Sequence, residues 1–165
     1  VMMSYRIAWF KVYYPVPFYA AYFTTKVADF NSEVVLKGSG AILARIDEIL
    51  AKGKNATKKE EDEMTVLEVA YEMYSRGYEF EPINFGVSDG TKFYEHEGRV
   101  LLPFMAVSGI GETAAKALAD ECRIRPFETI EELKSRTRIS NSNIESLKAM
   151  GVLEGMPETD QLSMF

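Results

Sequence analysis

Apolar residues recur at helical spacing along most of the chain. The first stretch, Val1–Tyr14, is apolar on nearly every face, which predicts a helix buried against a neighbouring element. Pro15 ends this helix, because proline disfavours helical geometry in the residue before it. The same spacing predicts further helices over residues 16–27, 41–51, 64–76, 112–121, 129–136 and 142–151.

Polar residues separate these predicted helices and mark where some of them begin. Thr129 and Ser142 each precede a glutamate by three positions, which is the spacing of an N-terminal capping box. Residues 37–40 predict a break between helices, and the charged run at 58–63 is expected to be a solvated surface.

The period of the pattern changes to two between residues 78 and 95. Apolar and polar residues alternate over 78–81 and 92–95, and Asp89-Gly90 is a turn signal between the two segments. Residues 99–103 are another short apolar run. These segments predict a small strand layer, so the fold is expected to be mainly α with a small β layer, an α+β class.

Composition and charge narrow the compartment and the partners. The single cysteine, Cys122, excludes a disulfide framework, fits a reducing compartment and is expected in the core. Since residues 1–27 contain Arg6, Lys11 and two prolines, they are not expected to form a signal peptide or a membrane span. The chain begins with valine, which predicts a processed product or a fragment of a longer protein.

The distribution of charge along the chain bears on nucleic-acid binding more than the net charge does. A formal net charge of −6 taken alone argues against binding a polyanion. The acidic side chains are concentrated in residues 56–103 and 151–165, however, whereas residues 104–150 hold equal numbers of acidic and basic side chains. Residues 1–55 and 104–150 are therefore left to approach nucleic acid.

The segment Ser108-Gly109-Ile110-Gly111, which we call the glycine hairpin, lies between a short apolar segment and an alanine-rich helix. Its glycines permit positive φ and let a phosphate approach the backbone N–H groups, while Ile110 is expected to anchor the turn. The amides of the glycines and of the next helical turn are expected to point outward, where the helix dipole adds partial positive charge. The small residues Ala114, Ala115 and Ala117 are expected to allow close helix packing.

This arrangement is the helix-hairpin-helix pattern, found across DNA polymerases, ligases and repair nucleases, and it implies binding to the DNA backbone without sequence information. The downstream run from Lys134 to Arg138 is the densest basic cluster and is expected to hold further phosphates. The predicted DNA-binding residues are Ser108, Gly109, Ile110, Gly111, Glu112, Thr113, Lys116, Lys134, Arg136 and Arg138. A tight inter-helix turn without a ligand, and a solvated helix end at the basic cluster, stay open as alternatives.

The last five residues place apolar side chains at the end of a polar segment. This peptide, Gln161-Leu162-Ser163-Met164-Phe165, resembles the short peptide by which bacterial proteins dock on the DNA sliding clamp. The resemblance implies that Gln161 bonds at the pocket rim and that Leu162 and Phe165 fill the pocket, with Met164 assisting. A tail that folds back on its own domain is the alternative.

Four stretches together resemble the C-terminal part of PolC-type DNA polymerase III, a bacterial replicative polymerase. They are Tyr5–Pro15 with Phe18–Phe23, Glu79–Asn84, the glycine hairpin, and Leu147–Leu153 with the terminal pentapeptide. The resemblance implies a helical, fingers-like region over 1–77. It also implies a duplex-binding domain over 78–155 with the helix-hairpin-helix at 104–121, and a flexible tail over 156–165 that carries the clamp peptide.

The resemblance also implies what this chain lacks. Family catalysis depends on palm-domain aspartates that hold two Mg²⁺ ions, and no such palm is recognisable here, so no catalytic residue, metal site or cofactor is expected in this chain. The expected partners are double-stranded DNA, the sliding clamp and the rest of the polymerase, in a cytoplasmic, nucleoid-associated protein with no membrane contact. For Arg6 and Lys11, a place facing template or nucleotide and a role in fingers–palm packing both stay open.

Two rival interpretations remain. A helix-hairpin-helix module of a repair ligase or nuclease predicts a catalytic lysine or a metal cluster, and the lone histidine, His96, is expected to face solvent rather than to bind metal. A plain interaction module predicts that DNA binding is absent.

Overall fold

The computed structural model describes residues 1–159. Most of them are helical, and a three-stranded sheet lies within residues 80–101, which confirms the predicted α+β class. The helices are α1 (Met2–Tyr13), α2 (Pro15–Thr25), α3 (Ser32–Val35), α4 (Ser39–Lys52), α5 (Lys58–Ser75), α6 (Glu112–Ile124), α7 (Ile130–Thr137) and α8 (Asn141–Ala149). The strands are β1 (Phe80–Glu81), β2 (Tyr94–His96) and β3 (Arg99–Leu101), and short 3₁₀ turns lie at Val27–Asp29, Gly53–Asn55 and Phe104–Ala106.

The sheet has the strand order β1-β3-β2. β3 lies in the middle, with Val100 opposite both Phe80 of the parallel strand β1 and Glu95 of the antiparallel strand β2. The tight turn between β2 and β3 is formed by Glu97 and Gly98, which have φ values of 49° and 77°. Two consecutive residues with positive φ match the right-handed twist of a hairpin.

The turn predicted at Asp89-Gly90 is present, but it does not join paired strands, because β1 pairs with β3 and not with β2. The Asp89 carboxylate accepts hydrogen bonds from the N–H groups of Thr91 and Lys92. A Cβ on Gly90 would lie 2.9 Å from the Cα of Lys116. Gly90 is therefore glycine because the loop packs directly against the backbone of α6.

The charged run at 58–63 forms the first turns of α5, and Lys58, Lys59 and Glu61 are exposed, as the prediction of a solvated surface requires. Thr57 and Glu60 form a capping box, in which each side chain accepts a hydrogen bond from the other residue's N–H group. This cap starts the helix before the apolar spacing becomes visible. Glu63, at the end of the run, is buried beside Arg45.

The centre of the core is a cluster of aromatic rings from α2, the sheet and the loops beside it. Phe23 lies 5.5 Å from Phe30 and 5.1 Å from Phe80 between ring centroids, and Phe30 lies 4.9 Å from Phe93. Buried apolar residues continue from this cluster into α6, α7 and α8 without interruption at residue 77. The predicted division of the chain at that position stays a prediction.

The prediction that the first helix is buried is wrong for this chain. No residue of α1 is buried, and Tyr5 and Tyr13 are 71% and 63% exposed. The end of α1 is held by an ion pair of 2.7 Å between Lys11 and Glu72, and Arg76 donates a hydrogen bond to the Lys11 carbonyl. An apolar helix is buried only if another element covers it, and within residues 1–159 no other element buries any residue of α1.

Candidate nucleic-acid interface

The glycine hairpin connects the 3₁₀ turn at Phe104–Ala106 to α6. Ile110 is buried in the core, as predicted, and its N–H group donates to the Val107 carbonyl at 3.1 Å. Gly109 has a φ of 86°, a conformation that favours glycine. The buried Ile110 side chain therefore anchors the hairpin in the core, while Ser108 and Gly109 are exposed to solvent.

The space around Gly111 leaves the backbone of the hairpin accessible from solvent. The φ of Gly111 is −75°, so of the two glycines only Gly109 uses the positive φ that glycine permits. A Cβ at Gly111 would meet no atom within 4 Å. Only a group approaching from outside would meet a side chain placed there.

The N-terminus of α6 carries donors that no side chain satisfies. Gly111 is its N-cap residue and makes no side-chain cap hydrogen bond. The first N–H groups of a helix have no partner within the helix, and the helix dipole places partial positive charge among them. The opening at Gly111 and these N–H groups together make a site of the kind that binds a phosphate oxygen.

The buried face of α6 holds the helix against the core. Ala115, Leu118, Ala119 and Cys122 are buried at helical spacing, and burial raises the pKa of the Cys122 thiol to about 11. This confirms the expected core position of the cysteine. Ala117 is exposed, so its predicted place on the packing face is wrong.

The charged side chains beside the glycine hairpin neutralise each other. Lys116 lies 2.5 Å from the Glu112 carboxylate, one turn away on the exposed face of α6. This hydrogen bond raises the pKa of Lys116 and lowers that of Glu112. The hairpin therefore presents backbone dipoles rather than net side-chain charge.

A second turn of the same shape joins α7 to α8. In this second hairpin, Arg138-Ile139-Ser140, the first residue has a φ of 55°, Ile139 is buried, and Ser140 is an extended N-cap. The glycine hairpin has the same order: positive φ at Gly109, a buried isoleucine, and an extended N-cap. The buried positions after each turn also correspond, since Ala115 and Leu118 of α6 match Ile144 and Leu147 of α8.

Sequence reasoning did not find this second hairpin. The helix cap was predicted at Ser142, but the Ser140 hydroxyl accepts the hydrogen bond from the Asn143 N–H group. Arginine in a left-handed conformation gives no sequence signal, whereas glycine does. The repeat of isoleucine 29 positions after Ile110, at Ile139, is the signal that would have identified it.

The predicted basic cluster divides into different environments. Arg136 bonds to Glu121 and Glu132 and lies 4.5 Å from the centre of the Phe127 ring, so its guanidinium joins α6 to α7. Lys134 and Arg138 are exposed, and Arg138 is the first residue of the second hairpin. The DNA contacts predicted for all three stay predictions.

The remaining polar candidates lie elsewhere. Arg6 is exposed on α1, and Lys11 is paired with Glu72. His96 is not simply solvent-facing as expected, because its Nδ1 lies 2.7 Å from a Glu81 oxygen, and this hydrogen bond raises the histidine pKa. Within residues 1–159, no group of three or more histidine, cysteine, aspartate or glutamate side chains converges to hold a metal ion.

The start of the predicted flexible tail is bonded to α7. The N–H groups of Ile130 and Glu131 donate to the carbonyls of Pro157 and Glu158, at 3.0 and 3.1 Å. The predicted clamp peptide, Gln161–Phe165, lies outside the described residues. No helix of the described chain has both the length and the apolar character needed to cross a membrane.

The comparisons with known proteins agree with the geometry. A family model described as a helix-hairpin-helix motif matches residues 77–162, just over half of the chain. Over its whole length the chain is 50% identical to the PolC-type DNA polymerase III of Caldanaerobacter subterraneus subsp. tengcongensis. The proteins of the same name from Thermotoga maritima and Bacillus subtilis are 42% and 39% identical.

Each of these matches covers the whole of this chain but 12% of the relative. The resemblance to PolC-type DNA polymerase III that the sequence predicts is confirmed along the full chain. With a matching family model over residues 77–162 and two turns of the expected shape within that range, the chain belongs to the helix-hairpin-helix family.

Proposed function

We propose that this chain grips duplex DNA, without reading its sequence, as part of a bacterial replicative DNA polymerase. The observation that carries the proposal is the uncapped N-terminus of α6, with open space at Gly111. Backbone N–H groups at a helix N-terminus bind phosphate oxygens, which are the same at every base pair. The binding therefore depends on the position of the backbone and is independent of sequence.

The balance of charge makes this grip weak on its own. Lys116 is neutralised by Glu112, so the glycine hairpin contributes dipoles, while Arg138 supplies an exposed cation at the second hairpin. One phosphate at each hairpin gives about two phosphates in total, and a log–log salt dependence with a slope near −2. Such a module supports processive synthesis when it is attached to further contacts.

A single substitution at Gly111 tests this proposal. Gly111→Val is expected to fold, because the φ of −75° suits valine and no atom lies near the new Cβ. Its side chain would occupy the phosphate approach and weaken binding to a labelled random duplex at least about tenfold in fluorescence anisotropy.

Gly40→Val is the control, since Gly40 lies in the first turn of α4 and, like Gly111, has no atom within 4 Å of its Cβ position. This control is expected to bind like the parent chain. Equal DNA affinity of the two variants would mean that the glycine hairpin is not the contact.

The exposed helix α1 is proposed to pack against the rest of the polymerase. Its aromatic side chains, among them Tyr5, Trp9 and Tyr13, are exposed along its whole length. Burial of such side chains stabilises an interface by about 1.5–3 kcal/mol each. The two roles open for Arg6, packing between domains and facing template or nucleotide, are both compatible with its exposed position on this helix.

Docking on the sliding clamp is proposed for the terminal peptide, Gln161–Phe165. Burial of Leu162, Met164 and Phe165, less the cost of ordering them, corresponds to an affinity around micromolar. A clamp contact and a DNA contact on one chain reinforce each other through effective concentration. We propose that this combination keeps the polymerase on its product duplex.

Nucleotidyl transfer is assigned to the part of the polymerase that this chain does not cover. We propose that the two Mg²⁺ ions are held by the palm of the parent polymerase, as the family resemblance implies. The chain by itself is expected to show no primer extension with Mg²⁺ and deoxynucleotides.

A further inference from the structure

One side chain, that of Asn143, contacts the glycine hairpin from the helix that follows the second hairpin. This residue lies in the first turn of α8 and is 8% exposed. Its Nδ2 donates to the Gly109 carbonyl at 3.4 Å, which is a long hydrogen bond. A Cβ on Gly109 would lie 2.8 Å from the Asn143 Oδ1 atom. Asn143 therefore fills the space that a side chain at position 109 would need.

The same residue is held by the second hairpin. The Asn143 N–H group donates to the Ser140 hydroxyl at 3.2 Å, which is the N-terminal cap of α8. A continuous path thus runs from Ser140 through Asn143 to Gly109. The backbone of Asn143 is bonded to one hairpin and its side chain to the other, so this residue bridges the two turns.

The chemistry of an amide suits this position. A buried polar group needs a partner, and the Gly109 carbonyl is an acceptor on the inner side of the glycine hairpin. Because the amide is neutral, it adds no negative charge close to an incoming phosphate, as an aspartate of the same shape would. Packing on Gly109 from inside leaves the exposed side of the hairpin open to DNA.

We infer that Asn143 is a positioning residue that sets the spacing of the two hairpins, so that they bind two phosphates of one duplex together. This inference rests on the proposed function. Phosphates on a duplex stand at fixed separations, and two sites held at a matching distance avoid the ordering cost that independent sites incur. If one hairpin shifted relative to the other, only one of the two could bind a phosphate of the duplex at any time.

The substitution Asn143→Ala removes the contact and leaves the cap on α8 intact. For a labelled random duplex of about 20 base pairs, we expect binding to weaken about tenfold and the salt slope to change from near −2 to near −1. Asn143→Ser is a second variant with the same expectation, because its side chain is too short to reach Gly109. Asn55→Ala, at an exposed position in a remote 3₁₀ turn, is the control and is expected to change neither value.

A double variant separates positioning from simple destabilisation. Arg138→Glu disables the second hairpin, and if Asn143 acts by aligning that hairpin, adding Asn143→Ala should cause little further loss. All measurements are made below the melting transition of each variant, checked by circular dichroism. A salt slope that stays near −2 in both Asn143 variants, or losses that multiply in the double variant, would overturn the inference while leaving the DNA grip intact. Absence of duplex binding by the parent chain would instead refute the proposed function.

Discussion

Glu63 is the buried charge whose removal should affect stability most clearly. Its carboxylate accepts hydrogen bonds from Asn31 at 2.8 Å and from the Arg45 guanidinium at 3.1 and 3.0 Å. Burial acts to raise the pKa of Glu63, but the hydrogen bonds from Arg45 and Asn31 outweigh it and lower the pKa. These bonds join α5 to α4 and to the loop that lines the cleft beside the glycine hairpin.

The substitution Glu63→Gln keeps the shape and removes the charge. Breaking a buried ion pair costs about 3–5 kcal/mol. Arg45 keeps Glu48 as a partner and its side chain is 22% exposed, so a smaller loss of about 2–4 kcal/mol is expected here. For a chain of this size the loss corresponds to a melting temperature lower by roughly 4–16 °C.

Urea unfolding followed by circular dichroism measures this loss directly. Glu61→Gln is the control on the same helix, because Glu61 is exposed and lies 3.8 Å from an exposed lysine. Since the folded pKa of Glu63 is lowered, its stabilisation is present above the ordinary glutamate pKa and is lost as the pH falls through the folded value. The two variants should therefore converge at acid pH. A Glu63→Gln variant as stable as Glu61→Gln at neutral pH would refute this account of the core.

Four further outcomes are expected. Phe23→Ala should lower the free energy of unfolding by about 3–5 kcal/mol in urea, since it leaves a cavity among five other aromatic rings. The pKa of His96 is raised, so its contribution to the free energy of unfolding is complete below a pH of about 6.5 and is lost as the pH rises through the folded pKa. His96→Asn should remove this pH dependence from the plot of stability against pH. Deleting residues 161–165 should eliminate co-elution with a bacterial sliding clamp on a sizing column. Primer extension by the chain alone should equal the background without protein.

The conformation of the glycine hairpin could be predicted because it depends on residues that are adjacent in the sequence. Positive φ at Gly109, burial of Ile110 and the alanine-rich helix all depend on residues within one short segment. The predicted break at 37–40 likewise lies where Gly38 has a φ of 95°. A positive φ at a glycine can therefore be predicted from the sequence without knowledge of the rest of the fold.

The features that sequence reasoning missed depend on distant residues or on unusual conformations. The parallel pairing of β1 with β3 joins Phe80 to Val100, and no local signal specifies it. Arg138 adopts a left-handed conformation that arginine rarely shows, so the sequence did not predict the second hairpin. The apolar surface of α1 was correctly identified, but whether a helix is buried depends on the element that covers it.

The most direct test of the central claim follows the backbone amides themselves. In a ¹⁵N-labelled chain titrated with a random duplex, the amide resonances of Gly109, Gly111 and Glu112 should shift progressively, together with those beside Ser140. The amide of Gly40, in the open first turn of α4, should stay in place. Shifts confined to other regions, with the amides of the glycine hairpin unchanged at saturating duplex, would contradict a grip through backbone N–H groups.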